Sequence, residues 1–100
     1  MSKPRRSSGS WRERQERDPY VQRARKEGWR SRAVFKLAQI DQKERLLKPG
    51  MVCVDLGSAP GGWSQYLAQK LDGRARIIAT DILPMDALPD VEFIEGDFRE

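Results

Sequence analysis

Apolar residues beyond position 50 gather into three short runs. They are Met51-Val52-Cys53-Val54, Ile77-Ile78-Ala79 and Val91 with Phe93-Ile94. The first reads as a buried-type strand ending at Asp55, the second as a strand from Arg76 to Thr80 that stops at Asp81. The third, Val91 to Ile94, has Asp97 just beyond it. Between the first two strands a glycine-rich loop leads into a helix from Trp63 to Leu71, closed by the turn Asp72-Gly73. A loop holding Pro84 and Pro89 joins the second strand to the third. Strand, helix, strand, connection, strand is the opening of a doubly wound α/β sheet.

The upstream pattern is helical. Asp18-Pro19 supplies an N-cap followed by proline in the first turn, and Gly28 is a stop, which predicts a short helix between them. A second helix is expected from Ser31 to about Leu46, with Ala33, Leu37, Ile40 and Glu44 at helical spacing and Val34 beside them. Lys36 falls at the border of that stripe, next to Ile40. Lys48-Pro49-Gly50 is a turn. Residues 1–17, rich in Ser, Gly and Arg, are expected to be a disordered basic tail. The organisation is therefore a tail (1–17), a basic helical segment (18–48) and the first half of a Rossmann-like domain (49–100). The chain is expected to be truncated after about three strands.

Charge divides along the same line. Residues 1–36 carry 12 Lys and Arg against 4 Asp and Glu, a net of +8, and residues 37–100 carry 7 against 11, a net of −4. The first segment suits a polyanion, the second an ordinary globular fold. No run approaches the roughly 20 apolar residues that span a bilayer, and no secretory signal is visible, which leaves nucleic acid as the polyanion. A single cysteine, Cys53, forms no internal disulfide, so a cytoplasmic setting is expected. With no histidine and one buried-type cysteine, zinc sites and catalytic triads are not expected, and no metal is assigned.

The loop Gly57-Ser58-Ala59-Pro60-Gly61-Gly62-Trp63-Ser64 admits three nucleotide-binding readings. A P-loop needs lysine after the last glycine to reach phosphates, and Trp63 stands there. A dinucleotide fingerprint needs a glycine where Ala59 stands, to let backbone approach a pyrophosphate. A nucleoside cofactor without phosphates fits better. S-adenosylmethionine asks for a close-approach glycine turn after the first strand and a carboxylate after the second for the ribose hydroxyls. It also asks for a polar acceptor near adenine after the third. Gly57 and Gly61-Gly62, then Asp81, then Asp97 fall in that order, beyond the carboxyl ends of the strands. Singly, each has a plainer reading as a turn residue, a helix cap or a packing group.

Four linked segments carry a family resemblance. Asp55-Leu56-Gly57-Ser58-Ala59-Pro60-Gly61-Gly62-Trp63-Ser64-Gln65 resembles the cofactor loop of the FtsJ-type (RrmJ-type) ribose 2′-O-methyltransferases. Arg30 to Leu37 looks like the segment that holds that family's first catalytic lysine. Asp81-Ile82-Leu83-Pro84-Met85 and Glu95-Gly96-Asp97-Phe98 resemble its next two cofactor elements. The likeness covers roughly residues 18–100. It implies a Rossmann-like S-adenosylmethionine-dependent fold and makes Gly61, Trp63, Asp81 and Asp97 cofactor contacts. It makes Lys36 the first member of a Lys-Asp-Lys-Glu catalytic set, whose other members would lie beyond Glu100. Within the family the likeness is strongest to members acting on a uridine ribose of large-subunit (23S) ribosomal RNA. The implied partner is ribosomal RNA within the large ribosomal subunit, and the implied state a monomer.

From spacing alone, Lys36 is better read as a helix-edge lysine whose stem covers apolar surface, and the family resemblance reverses that reading. The cluster Arg23, Arg25, Lys26, Arg30 and Arg32 is either a solvated face or an RNA surface gripping phosphates. Trp11 and Trp29 are candidates to stack on unpaired bases, and packing serves Trp29 equally well. The rival function is an RNA-binding module without turnover, or a methyltransferase acting on another RNA.

Overall fold

The computed structural model describes residues 13, 14 and 16–97, so the expectation for Trp11 lies outside the described residues. Of the expected tail, Glu13, Arg14, Glu16 and Arg17 are described, and they are helical rather than irregular. Local bonds account for this: Arg17 Nη2 donates to Glu13 Oε2 at 3.1 Å, and the Gln22 side chain donates to the Glu16 carbonyl at 2.7 Å.

Helix α1 spans Pro19–Glu27. Asp18 Oδ1 accepts from the amides of Tyr20 (2.8 Å) and Val21 (3.4 Å), a cap that contributes about 1 kcal/mol in typical cases. Gly28 closes the helix at φ 84°, and the Trp29 amide returns to the Ala24 carbonyl at 2.8 Å.

Helix α2 spans Val34–Glu44, starting later and stopping earlier than its periodicity predicts. Ser31 Oγ accepts from the Ala33 amide at 2.9 Å, which holds residues 31–33 in a turn. At the other end Asp41 Oδ1 takes the Leu47 amide at 3.1 Å and draws the chain out of the helix. The inward stripe is Val34, Leu37 and Asp41; Leu37 is as expected, Asp41 replaces Ile40, and Ala33 and Glu44 are exposed.

The strands are β1 (Val52–Leu56), β2 (Arg76–Asp81) and β3 (Val91–Glu95), with helix α3 (Gly62–Leu71) between the first two. Each lies within a residue of its expected bounds. They pair in parallel in the order β1-β2-β3, with Val54 opposite Ile78 and Ile78 opposite Glu92. Leu37 of α2, Leu67 and Leu71 of α3 and Ile77 of β2 form the core, flanked by Leu47, Cys53 and Tyr66. Burial of the Cys53 side chain pushes its thiol pKa up.

Among the described residues the helices cover one face of the sheet. Val52 and Val54, expected to be buried, are 62% and 58% exposed on the other, with Leu56 beside them. A strand apolar on both faces is the sequence of a sheet covered on both sides. The architecture is Rossmann-like, and all three strands point their carboxyl ends at one edge.

Candidate cofactor site at the carboxyl edge of the sheet

At that edge the glycine loop folds over the end of β2. The amides of Gly57 and Ser58 both donate to the Thr80 carbonyl, at 2.8 and 3.0 Å. Gly57 turns at φ 70°, and a side chain there would meet open space. The Ala59-Pro60 bond is cis. Asp81, the last residue of β2, is locked to the loops on either side. Its Oδ1 accepts from the Leu83 amide at 3.0 Å and its Oδ2 from the Ala59 amide at 2.9 Å. These amides, Leu83's first, hold its carboxyl below the usual carboxylate range. Each oxygen keeps acceptor capacity for a further donor.

The Gly96 amide donates to the Asp81 carbonyl at 2.9 Å, which sets Asp97 beside the end of β2 at the same edge. The structure thus brings together the glycine loop, Asp81 and Asp97 as their order in the sequence predicts.

Two groups in this region carry no role in the sequence reading. Ser58 is buried, and its hydroxyl has no hydrogen-bond partner. A buried unpaired hydroxyl is costly unless something else satisfies it. Asp55, buried in β1, accepts from the Ser64 hydroxyl at 2.7 Å. Burial pushes its carboxyl pKa up against that bond. An Asp two residues before the first glycine of a strand-end loop was the available signal for Asp55. For Ser58 there was none.

The basic segment does more than carry charge. Arg30 Nη1 donates to the carbonyls of Pro60 (3.2 Å) and Asp86 (2.6 Å), and Nη2 to that of Ala87 (3.0 Å). The Arg30 amide donates to Gln65 Oε1 at 2.9 Å, and Gln65 Nε2 donates to the Gly28 carbonyl at 2.9 Å. Arg30 is therefore a staple between the glycine loop and the loop after β2, which sets it apart from the rest of the arginine cluster.

The same packing explains the glycine pair. A Cβ on Gly61, at φ 112°, would stand 2.9 Å from Met85 Sδ and 3.0 Å from Arg30 Nη1. One on Gly62 would stand 3.0 Å from Ser31 Cβ. At Gly61 the left-handed φ favours glycine, and at Gly62 the approach of Ser31 leaves little room for a Cβ. At Gly57 the open space leaves room for a ligand.

Trp63 opens α3, and its indole N–H donates to the Ala33 carbonyl at 2.8 Å. The Lys36 amide donates to that same carbonyl at 3.2 Å. One carbonyl thus ties the cofactor loop's tryptophan to the turn of α2 that presents Lys36. The Lys36 side chain is exposed. Trp29 is half-buried, donates to Glu27 Oε1 at 3.0 Å and lies 6.1 Å from the Tyr66 ring, so it packs. Tyr66 in turn donates to the buried Asp41 carboxylate at 3.0 Å, and burial with that bond pushes its phenol pKa to about 12.

The donor set suits an adenosyl group. It offers a fixed carboxylate for hydroxyls, an orphaned hydroxyl and a turn with free space, and among the described residues no lysine or arginine is poised on a phosphate cradle. Among the described residues no helix is long and apolar enough to cross a membrane.

Comparison with known proteins agrees with this geometry. Residues 29–100 match the FtsJ-like methyltransferase family. Ribosomal RNA large subunit methyltransferase E of Dichelobacter nodosus is 62% identical over 94 residues, which cover 94% of this chain and 45% of that protein. The protein of the same name from Alcanivorax borkumensis is 56% identical over 102 residues, covering 100% of this chain and 49% of its own length. Among solved structures, a ribosomal RNA methyltransferase from Plasmodium falciparum superposes with a TM-score of 0.66 at 37% identity, over 69% of this chain and 38% of that one. The chain spans about half the length of the curated relatives it matches.

Proposed function

The chain belongs to the FtsJ-like methyltransferase family, and from that premise we propose that it serves S-adenosylmethionine-dependent methylation of a ribose 2′-hydroxyl, a uridine's, in large-subunit ribosomal RNA. The observation that carries the reading is Asp81. Its carboxylate is ionised and fixed by the Leu83 and Ala59 amides, beside a buried serine hydroxyl with nothing to bond. S-adenosylmethionine supplies an activated methyl group when bound. In this reading Asp81 receives the cofactor's ribose hydroxyls, Asp97 lies toward its adenine, and the backbone of Gly61 and the ring of Trp63 border it. The relatives' printed names supply the substrate class.

The chain's own part in the reaction is alignment and proton handling. Holding a hydroxyl in line with the methyl carbon contributes about 7–11 kcal/mol when the reacting atoms are well oriented. Lys36, on the exposed side of α2 and tied through the Ala33 carbonyl to Trp63, holds the substrate ribose. Its ammonium favours the deprotonated hydroxyl electrostatically. Transfer of labelled methyl groups from S-adenosylmethionine to ribosomal RNA tests this. Lys36→Ala should lower the rate by a factor of about 10²–10⁴ with folding unchanged. Near-normal transfer by that variant ends the catalytic assignment.

A second reading rests on the exposed cations Arg23, Arg25 and Lys26 of α1. It is a cofactor- and RNA-binding unit without turnover of its own. Isothermal titration showing cofactor binding, with no transfer in a single-turnover assay, would select it.

A further inference from the structure

Beside Lys36, on the side of α2 turned toward α1, a groove of about 480 Å³ is lined by two rings, Tyr20 and Phe35, and by the cations Arg23, Arg32 and Lys36, with Gln39 along its wall. The rings lie 6.0 Å apart between centroids. Arg23 sits 4.3 Å over the Phe35 ring and Arg32 5.0 Å over the Tyr20 ring. We propose that this groove is a binding subsite for one unpaired nucleotide of an RNA, a neighbour of the nucleotide whose ribose Lys36 holds. The inference rests on the RNA reading above and specifies where a second nucleotide is gripped.

The chemistry is that of single-strand recognition. A base stacks on an aromatic ring or on a guanidinium plane, and the Arg-over-ring pairs offer both surfaces, already aligned. Tyr20 is about half exposed, so a ring face is open to a base. The guanidinium groups are also the phosphate contacts. Arg23 now pairs with Glu27 at 2.7 Å and Arg32 with Asp18, and both arginine side chains are more than half exposed. The Arg23–Glu27 pair is exposed and contributes little, so a phosphate competes with it readily. The Gln39 amide supplies a donor and an acceptor for a base edge. Arg30 takes no part, because its guanidinium is committed to three carbonyls. Ala33, whose carbonyl holds the Trp63 indole, and Lys36 both line this groove, so a strand lying in it passes Lys36 on its way to the cofactor edge.

The test uses the full chain and fluorescence anisotropy with a short labelled oligouridylate, and an RNA duplex of equal length, over a range of salt. Tyr20→Ala should weaken single-strand binding about tenfold without changing its salt dependence, while Tyr20→Phe, which keeps the ring, binds as the parent does. Arg23→Gln should lower the slope of log Kd against log salt by about one, and Lys70→Gln, a charge loss elsewhere, should leave single-strand affinity unchanged. Binding by the parent that is indifferent to both Tyr20→Ala and Arg23→Gln overturns the subsite and leaves the RNA reading standing. Equal losses on duplex and single strand overturn the stacking claim. A parent that binds neither RNA overturns both proposals together.

Discussion

Replacing Arg30 by alanine removes three hydrogen bonds at once, those from its guanidinium to the carbonyls of Pro60, Asp86 and Ala87. Hydrogen bonds from charged donors contribute about 1.5–3 kcal/mol each when well buried, and ordinary ones about 0.5–1.5. The side chain is half-buried and the freed carbonyls can be rehydrated, so the low end applies and the contributions do not simply add. A loss of about 2 kcal/mol follows. It falls on the two loops that bracket Asp81, so cofactor affinity should drop as well, by at most about 30-fold, since each 1.4 kcal/mol is a decade. Urea denaturation followed by far-ultraviolet circular dichroism reads the first effect, and isothermal titration with S-adenosylmethionine reads the second. Arg30→Lys should recover less than half of either, because a single ammonium does not present the planar fork that reaches three carbonyls. The salt dependence of RNA binding should be unchanged in both variants. If Arg30→Ala keeps its stability within about 0.5 kcal/mol and instead loses about one unit of salt slope, Arg30 is a phosphate contact and the staple argument is wrong.

Ser64→Ala takes away the hydroxyl that donates to the buried Asp55 carboxylate, and should cost about 1–3 kcal/mol at neutral pH in urea denaturation. The cost should shrink in acid, where a protonated Asp55 needs that donor less; a pH-independent loss would contradict this. Asp81 titrates with the opposite sign to Asp55. The Leu83 and Ala59 amides lower its folded pKa, so its stabilising contribution is present above the ordinary Asp value of about 4 and is lost as pH falls through the lowered value. Asp55, raised by burial, contributes fully below that ordinary value and loses its contribution as pH rises through the elevated one. Asp81→Asn should therefore flatten the acid-side decline of the urea midpoint, and an unaltered acid limb would refute the assignment of that decline to Asp81.

How much of this was legible beforehand differs between fold and site. The strands and α3 appear within a residue of where apolar runs and turn residues place them, because those signals act over a few residues. The cap Asp18-Pro19 and the stop Gly28 bound α1 for the same reason. The inward face of α2 was not readable. Asp41 occupies an interior position because Tyr66, 25 residues on, supplies a hydroxyl for it, and no local pattern marks an aspartate as buried. The uncovered face of β1 was equally hidden, since an apolar run does not say which side a helix takes.

The sequence by itself determined the order of elements, the division into a basic segment and an α/β unit, and the set of residues at the carboxyl edge. Parallel strands joined by right-handed crossovers leave their ends, and whatever follows them, on one side. Tertiary structure alone decided what each of those residues does there. It turned Arg30 from a surface charge into a staple, because three carbonyls from residues 30 to 57 positions away converge on it. It favoured glycine at 61 through a φ of 112° and at 62 through the approach of Ser31. It left the Ser58 hydroxyl buried and unpaired, a fact that depends on every neighbour at once. Short-range preferences write the elements. Contacts between distant segments assign the roles, and the cofactor edge is where the two meet.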